Sequence, residues 1–353
     1  MIGPDVVWGA GGYVRERLDY VDVAKGIGML AIMLAHVGFV AADGSSPVSP
    51  LTAQFHVPIF FLVSGFFVSV RQPLVVFVRT RARRLLTPYV LTCAVLGAYV
   101  AGCMLCVGVT RPPTLWDDPG QFARAVLWGA GVLHGTLPEG VGCIGAIWFL
   151  EALFVALVEV RLLLGSGLQE GARVAISAVL AVVAILSAQM LLLPCNVQTG
   201  LFGGLYVMLG HAYAKHGGLG WRASTPAMVA LCVCCAAACV LRVGVSVAAM
   251  STTWGPLGIA VSLSTSTLVL QVAMRIANRP GAITRFLRFI GRNSLAVMCV
   301  HLLCLDMGLR FAVRMLLGID WGDELYNVTC AVDLVLQLLI CSAVVCASKR
   351  LPR

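Results

Sequence analysis

The sequence predicts an all-α protein, a polytopic transmembrane helical bundle of about ten spans with its N- and C-termini in the cytoplasm. Three observations lead there. Of the 353 residues, 59% are hydrophobic and only 12% are charged, about half the charged fraction usual in a soluble domain. The apolar residues come in runs of roughly 20 separated by short polar or basic links, the length that crosses a bilayer as a helix. The alternating ~10-residue strands of a transmembrane barrel are not seen. Finally, with the N-terminus placed inside, 20 of the 25 lysines and arginines fall on the cytoplasmic side and five fall outside (Arg111, Arg124, Arg242, Arg310 and Arg314), the asymmetry that sets helix orientation in membranes.

The expected spans are 21–41, 51–70, 88–109, 143–164, 174–193, 197–214, 226–247, 254–275, 289–308 and 328–347. Residues 1–20 hold Asp5, Arg15, Glu16, Arg17 and Asp19 without an apolar stretch, so the expectation is a cytoplasmic N-terminal segment and no cleavable signal. Residues 21–348 then form one transmembrane domain and 349–353 a cytoplasmic tail. The run 121–137 is apolar but short and interrupted, and reads as an interfacial or re-entrant helix. The net charge of +9 is accounted for by basic links facing anionic lipid headgroups, so no nucleic-acid partner is implied. Most of the 14 cysteines lie inside spans, where cysteine behaves as a small apolar residue. Cys103 and Cys106 form a CxxC with no second pair or histidine beside it, so no metal site is expected. Cys143 and Cys195 both sit near the predicted outer face, where pairing is open to them.

The first span carries the densest chemistry. Lys25 and His36 are eleven residues apart, which at about 100° and 1.5 Å per residue puts them on one helix face roughly 16 Å apart. Asp22 lies one turn below Lys25 on that face. An ionisable group in a span costs roughly 2.5–3.5 kcal/mol on insertion scales and therefore usually has a function. Span two opens with Phe55-His56-Val57-Pro58-Ile59-Phe60-Phe61; a short link from span one lets His56 face His36, and Pro58 weakens the helix next to it. The link after span two holds Arg79, Arg81, Arg83 and Arg84, more than orientation requires, and would suit the phosphates of a coenzyme A ester. Span four begins Trp148-Phe149-Leu150-Glu151; Glu151 should point to a cavity or a partner, and a carboxylate is what holds a histidine tautomer. Span nine runs from Gly291-Arg292-Asn293-Ser294 to a deep His301, and the glycines of span six, with Tyr206 and His211, read as tight packing. Two outer loops, 110–142 with Trp116 and 309–327 with Trp321 and Tyr326, combine acidic and aromatic residues, a composition suited to sugar binding or to the interfacial belt.

Taken together and in order, these segments resemble the acyltransferase-3 family of integral-membrane acyltransferases, and within it the fucose 4-O-acetylase-like branch. The matching elements are Asp22-x-x-Lys25-Gly-Ile with His36, Phe55-His56-x-Pro58-x-Phe60-Phe61-x-x-Ser64-Gly65, Arg81-x-x-Arg84-Leu-Leu-x-Pro88-Tyr89, Trp148-Phe149-Leu150, and the late Gly291-x-Asn293-Ser294 with His301. Much of the family has arginine where this chain has Lys25. The resemblance implies a ten-helix bundle of the bacterial cytoplasmic (inner) membrane that moves an acyl group, acetyl in the usual case, from acetyl-CoA as co-substrate to a carbohydrate or glycolipid hydroxyl. Some relatives append an extracytoplasmic hydrolase-like domain; none is expected here, so a second transfer step would need a partner protein, and a homo-oligomer is also open.

On that reading His36 is the general base, His56 an oxyanion donor or acyl carrier, and Glu151 or Asp22 the group that orients an imidazole or neutralises Lys25. Lys25, Arg83 and Arg84 hold donor phosphates, with Asp22 beside them. Two alternatives stay open from sequence: a transporter of a small polar, serine-like solute without bond chemistry, and transfer of succinyl in place of acetyl.

Overall fold

Each of the ten expected apolar runs contains helix among its described residues. The computed structural model describes residues 18–41, 45–106, 116, 119–132, 135–318 and 325–350. Helix α1 (Asp19–Val37) is continuous. The second run is split into α2 (Ser49–Phe55) and α3 (Pro58–Gly65), because Pro58 supplies no N–H to continue the ladder and instead starts a new helix. There follow α4 (Leu74–Cys106), α5 (Pro119–Trp128), a 3-10 turn (Gly145–Ile147) leading into α6 (Trp148–Gly165), α7 (Glu170–Ala188), α8 (Val197–Lys215) and α9 (Thr225–Val240). A small antiparallel hairpin of β1 (Val245–Ser246) and β2 (Ser251–Thr252) links α9 to α10 (Pro256–Ala277). The chain closes with α11 (Ala282–Arg292), α12 (Ser294–Asp306), α13 (Leu309–Leu317) and α14 (Tyr326–Ser348).

Among the described residues five helices, α1, α4, α7, α10 and α14, are individually long and apolar enough to cross a bilayer, and α11 with α12 makes a sixth if the pair is counted as one span. Helix α6 falls short of that test because it carries Glu151, Glu159 and Arg161, and α8 because glycines, Gln198 and His211 dilute it. The fold is a mostly helical, multi-pass membrane protein.

Three sequence expectations are corrected. The ninth run is bent by 80° between α11 and α12: α11 buries only Thr284, Leu287, Ile290 and Gly291 and turns Arg285 and Phe286 outward, an amphipathic pattern that packs beside the bundle. The basic link after the second run is helical and continuous with α4, whose 33 residues extend about 50 Å, well beyond a ~30 Å hydrocarbon layer. The stretch 309–327, expected as a loop, contains α13; Asp320, Trp321, Asp323 and Glu324 lie outside the described residues.

Helix α8 sits at the centre of one half, packed by α3, α6 and α7, while α1 packs on α10 and α11. Two of the motif segments interlock in the core: Phe149 stands edge-on to Phe61 at 5.1 Å, to Phe60 at 5.8 Å and to Trp148 at 6.1 Å. Helices α1 and α11 meet at backbone-to-backbone distance. A methyl group on Gly26 would overlap the Leu287 carbonyl, and one on Gly291 would overlap the Asp22 carbonyl, so the two backbones touch through paired glycines as small residues allow in membrane bundles. Arginines then clamp the contact from α11: Arg292 Nε reaches Asp22 Oδ2 at 3.0 Å, Arg292 Nη2 reaches Asp19 Oδ1 at 3.1 Å and Arg288 Nη2 reaches Asp19 Oδ2 at 3.1 Å.

Gly291→Ala should therefore force α11 off α1 and destabilise the protein by about 1–3 kcal/mol, the usual cost of overpacking. A thermal melt in detergent would read this as a clearly lowered transition, with Ala282→Gly on the exposed start of α11 as the mild control.

Candidate functional site

The continuity of α1 puts Lys25 and His36 on one face, three turns apart, and the bundle builds a different environment at each. Around Lys25 there is a cleft of 260 Å³ lined by Asp22, Lys25, Ser64, Phe67, Arg81, Arg84 and Arg292, with Leu18, Leu85, Leu153 and Leu157 among its apolar walls. The Lys25 ammonium lies 5.9 Å from the Phe67 ring centroid, a cation–π distance. Of the residues assigned to donor binding, Asp22, Lys25 and Arg84 meet in this cleft. Arg83 does not: it is exposed and stands about 200° around α4 from Arg81. Arg81 lines the cleft in its stead, and Arg292 arrives from α11. Four cations against one carboxylate, above an apolar floor, suit a ligand with phosphate at one end and an uncharged chain at the other.

At the other end of α1 the histidines gather. His36 and His301 stand edge-to-face with centroids 5.5 Å apart, and His56 is close enough to His36 for the two rings to interact electrostatically. His36 is exposed, whereas His301 is fully buried behind it. The hydrogen bonds fix the protons. His36 Nδ1 lies 2.8 Å from the Ile32 carbonyl and His56 Nδ1 lies 2.5 Å from the Thr52 carbonyl. A carbonyl only accepts, so both rings donate from Nδ1 and as neutral imidazoles keep the lone pair on Nε2.

Behind His301 runs a fully buried chain on α14. Gln337 Nε2 donates to Asp333 Oδ2 at 2.9 Å, which turns the amide oxygen toward His301 Nδ1 at 2.6 Å. Asp333, Gln337 and His301 all have zero exposure. Sequence reasoning named His301 but not these two partners. The signal was there: Asp333 and Gln337 are an i, i+4 polar pair in an otherwise apolar run, and such a pair shares a helix face.

Glu151, expected to hold a histidine, does something else. Its Oε2 accepts from Asn196 Nδ2 at 3.0 Å, and the same amide donates to the Gly129 carbonyl at 2.5 Å. Asn196 is in the left-handed conformation (φ 50°) just before α8, so Glu151 ties the α5 exit to the start of α8. Asp22 likewise bonds Arg292. A second buried acid, Glu159, was also missed by sequence; its Oε1 accepts from Ser177 Oγ at 2.8 Å, and it lies over Gly204 in the α6–α7–α8 core. The aromatic outer loops do not present stacking faces where they are described: Trp116 is buried with Nε1 on the Cys143 carbonyl at 2.9 Å, and Tyr326 is buried. Cys143 and Cys195 are both free thiols.

With this geometry in view, the comparison with known families is informative. The model of an acyltransferase domain, that of the acyltransferase-3 family, matches residues 18–347, nearly the whole chain, and the chain belongs to that family. It is a membrane acyltransferase. No curated protein and no solved structure matches it.

The buried chain on α14 makes a direct prediction. Gln337→Leu removes the acceptor from His301 Nδ1 and strands a buried donor, which should cost about 1–3 kcal/mol; Gln337→Glu keeps that acceptor but sets a second carboxylate against the buried Asp333 and should lose at least as much. Comparing the melting transitions of the two variants checks this.

Proposed function

We propose that this chain is an O-acetyltransferase of the bacterial cytoplasmic membrane, of the fucose 4-O-acetylase-like branch, which moves an acetyl group from acetyl-CoA to a carbohydrate or glycolipid hydroxyl with His36 as general base. The observation that carries the reading is the pairing, on one unbroken helix, of a basic cleft at Lys25 with a histidine cluster at His36, roughly 16 Å apart by helix rise. That span is comparable to the extended pantetheine arm of coenzyme A. The phosphates lie among Lys25, Arg81, Arg84 and Arg292, the arm follows α1, and the thioester reaches His36.

The chemistry follows from the proton placement. His36 Nε2 takes the proton of the acceptor hydroxyl as its oxygen attacks the thioester carbonyl carbon. The carbon–sulfur bond then breaks, the thiolate leaves, and it recovers a proton from the imidazolium. The Ile32 carbonyl holds His36 in the tautomer this requires, and a positioned base of this kind typically contributes 10²–10⁴-fold. His56, whose Nδ1 is held on the Thr52 carbonyl, is the second group at the reacting centre. His301, backed by Gln337 and Asp333, is a positioning residue for His36. Glu151 is a structural tie for the helix ends near the site. Ten spans with both termini cytoplasmic are part of this reading, supported by the helix within each expected run and by the basic bias, which favours a Lys25 cleft open to cytoplasmic donor.

Purified protein in nanodiscs with labelled acetyl-CoA tests the reading. His36→Ala should lower coenzyme A release by about 10²–10⁴-fold without loss of folded protein. Arg84→Ala should mainly raise KM for acetyl-CoA, by about tenfold for one lost charge-assisted phosphate contact, while Arg83→Ala should leave it nearly unchanged. Equal activity in wild type and His36→Ala would sink the base assignment, and substrate movement without any acyl donor would favour a transporter.

A further inference from the structure

A second cavity, of 470 Å³, opens on the far side of the segment that walls the Lys25 cleft. Ser64 and Phe67 face the first cleft, whereas Phe66, Val68, Ser69 and Val70 face the second. Its other lining residues come from the end of α6 (Leu164), the start of α7 (Arg173) and the end of α8 (His211, Ala214, Lys215 and Gly217). The site is built rather than incidental. Arg161 fixes the strap beyond α3 by donating to the Val70 carbonyl at 3.3 Å and the Gln72 carbonyl at 2.7 Å, and Phe66 stacks on Tyr213 at 5.9 Å.

Arg173, Lys215, His211 and the Ser69 hydroxyl line the cavity, and among the described residues no carboxylate does. Glu170 at the rim pairs with Lys215 and His216; an ammonium has three donors, so the bond to Glu170 does not exhaust Lys215. Arg173 Nε is buried and has no hydrogen-bond partner among the described residues. A buried guanidinium N–H without an acceptor is costly, and a phosphate oxygen is the acceptor that arginine geometry suits best. The remaining walls, Phe66, Val68, Val70, Leu164 and Ala214, are apolar.

We infer that this cavity binds a phosphate ester, with the phosphate held by Arg173, Lys215 and Ser69 and an apolar tail against Phe66, Val68 and Leu164. The chemistry points to an anionic phospholipid headgroup, and a free phosphate would satisfy the same polar contacts. The inference is independent of the acyl-transfer reading, because none of the residues holding the phosphate lies in the Lys25 cleft or the histidine cluster.

Native mass spectrometry of the purified full chain in detergent, titrated with phosphatidylglycerol or with phosphatidylcholine, tests it, beside thermal melts in inorganic phosphate. The expected result is retained phosphatidylglycerol and little phosphatidylcholine, with affinity reduced about tenfold in Arg173→Gln and in Lys215→Gln. Stabilisation by inorganic phosphate that both variants abolish, with no lipid selectivity, would uphold the phosphate site and assign it to a soluble ligand. Equal binding of both lipids with no response to phosphate, or binding unchanged in Lys215→Gln and a folded Arg173→Gln, would overturn it. Coenzyme A release by each variant, measured in parallel, separates this site from the reaction.

Discussion

The contact between α1 and α11 is the constraint on which the rest depends. Gly26 and Gly291 let two backbones meet where any side chain would collide, and Arg288 and Arg292 lock the contact onto Asp19 and Asp22. The outermost of these ion pairs, on the exposed Asp19, is worth little by itself. The Asp22–Arg292 pair matters more, because the Asp22 side chain is only 8% exposed and a buried carboxylate needs a partner. With α1 held this way, Lys25 faces the cleft and Arg292 becomes part of its wall. The rotation of α1 fixed there also determines where His36 emerges three turns later.

The polar groups within the bundle divide into two kinds. Some are ties: Glu151 with Asn196, Glu159 with Ser177, and Thr265 with Gln54 at 2.8 Å each give a partner to a group that would be costly alone in an apolar medium and join different elements of the bundle. Others are directed at open space. Lys25 and Arg84 face a cleft, and His36 is exposed while its neighbour His301 is sealed in by Gln337 and Asp333. An exposed imidazole whose Nδ1 is held by a backbone carbonyl, backed by the buried His301–Gln337–Asp333 chain, suits the proton transfer proposed for it.

Much of this was legible in the sequence, and the misses have physical causes. The Lys25–His36 face could be read because helical periodicity is fixed once the helix exists, and α1 is unbroken through Gly26 and Gly28. The choice of Arg81 over Arg83 could not, because it depends on the helix extending back through the basic link, so that a residue two positions away points elsewhere. The bend at Asn293 was hidden for a similar reason: the ninth run was taken to start at residue 289, and only the docking of α11 on α1 shows that the run's first four residues belong to a separate helix. Asp333 and Gln337 left a signal of spacing, but their tie to His301 is a contact between residues 36 positions apart, which periodicity along one helix does not report.

The central claim is that α1 carries an acyl donor along its length, phosphates at Lys25 and thioester at His36. A cryo-electron microscopy structure of the protein in nanodiscs with a non-hydrolysable acetyl-CoA analogue tests it most directly. The account predicts phosphate density among Lys25, Arg81, Arg84 and Arg292 and the acyl carbonyl carbon beside the His36–His301 pair. Donor density that leaves the Lys25 cleft empty, or an acyl group ending far from His36, would contradict it.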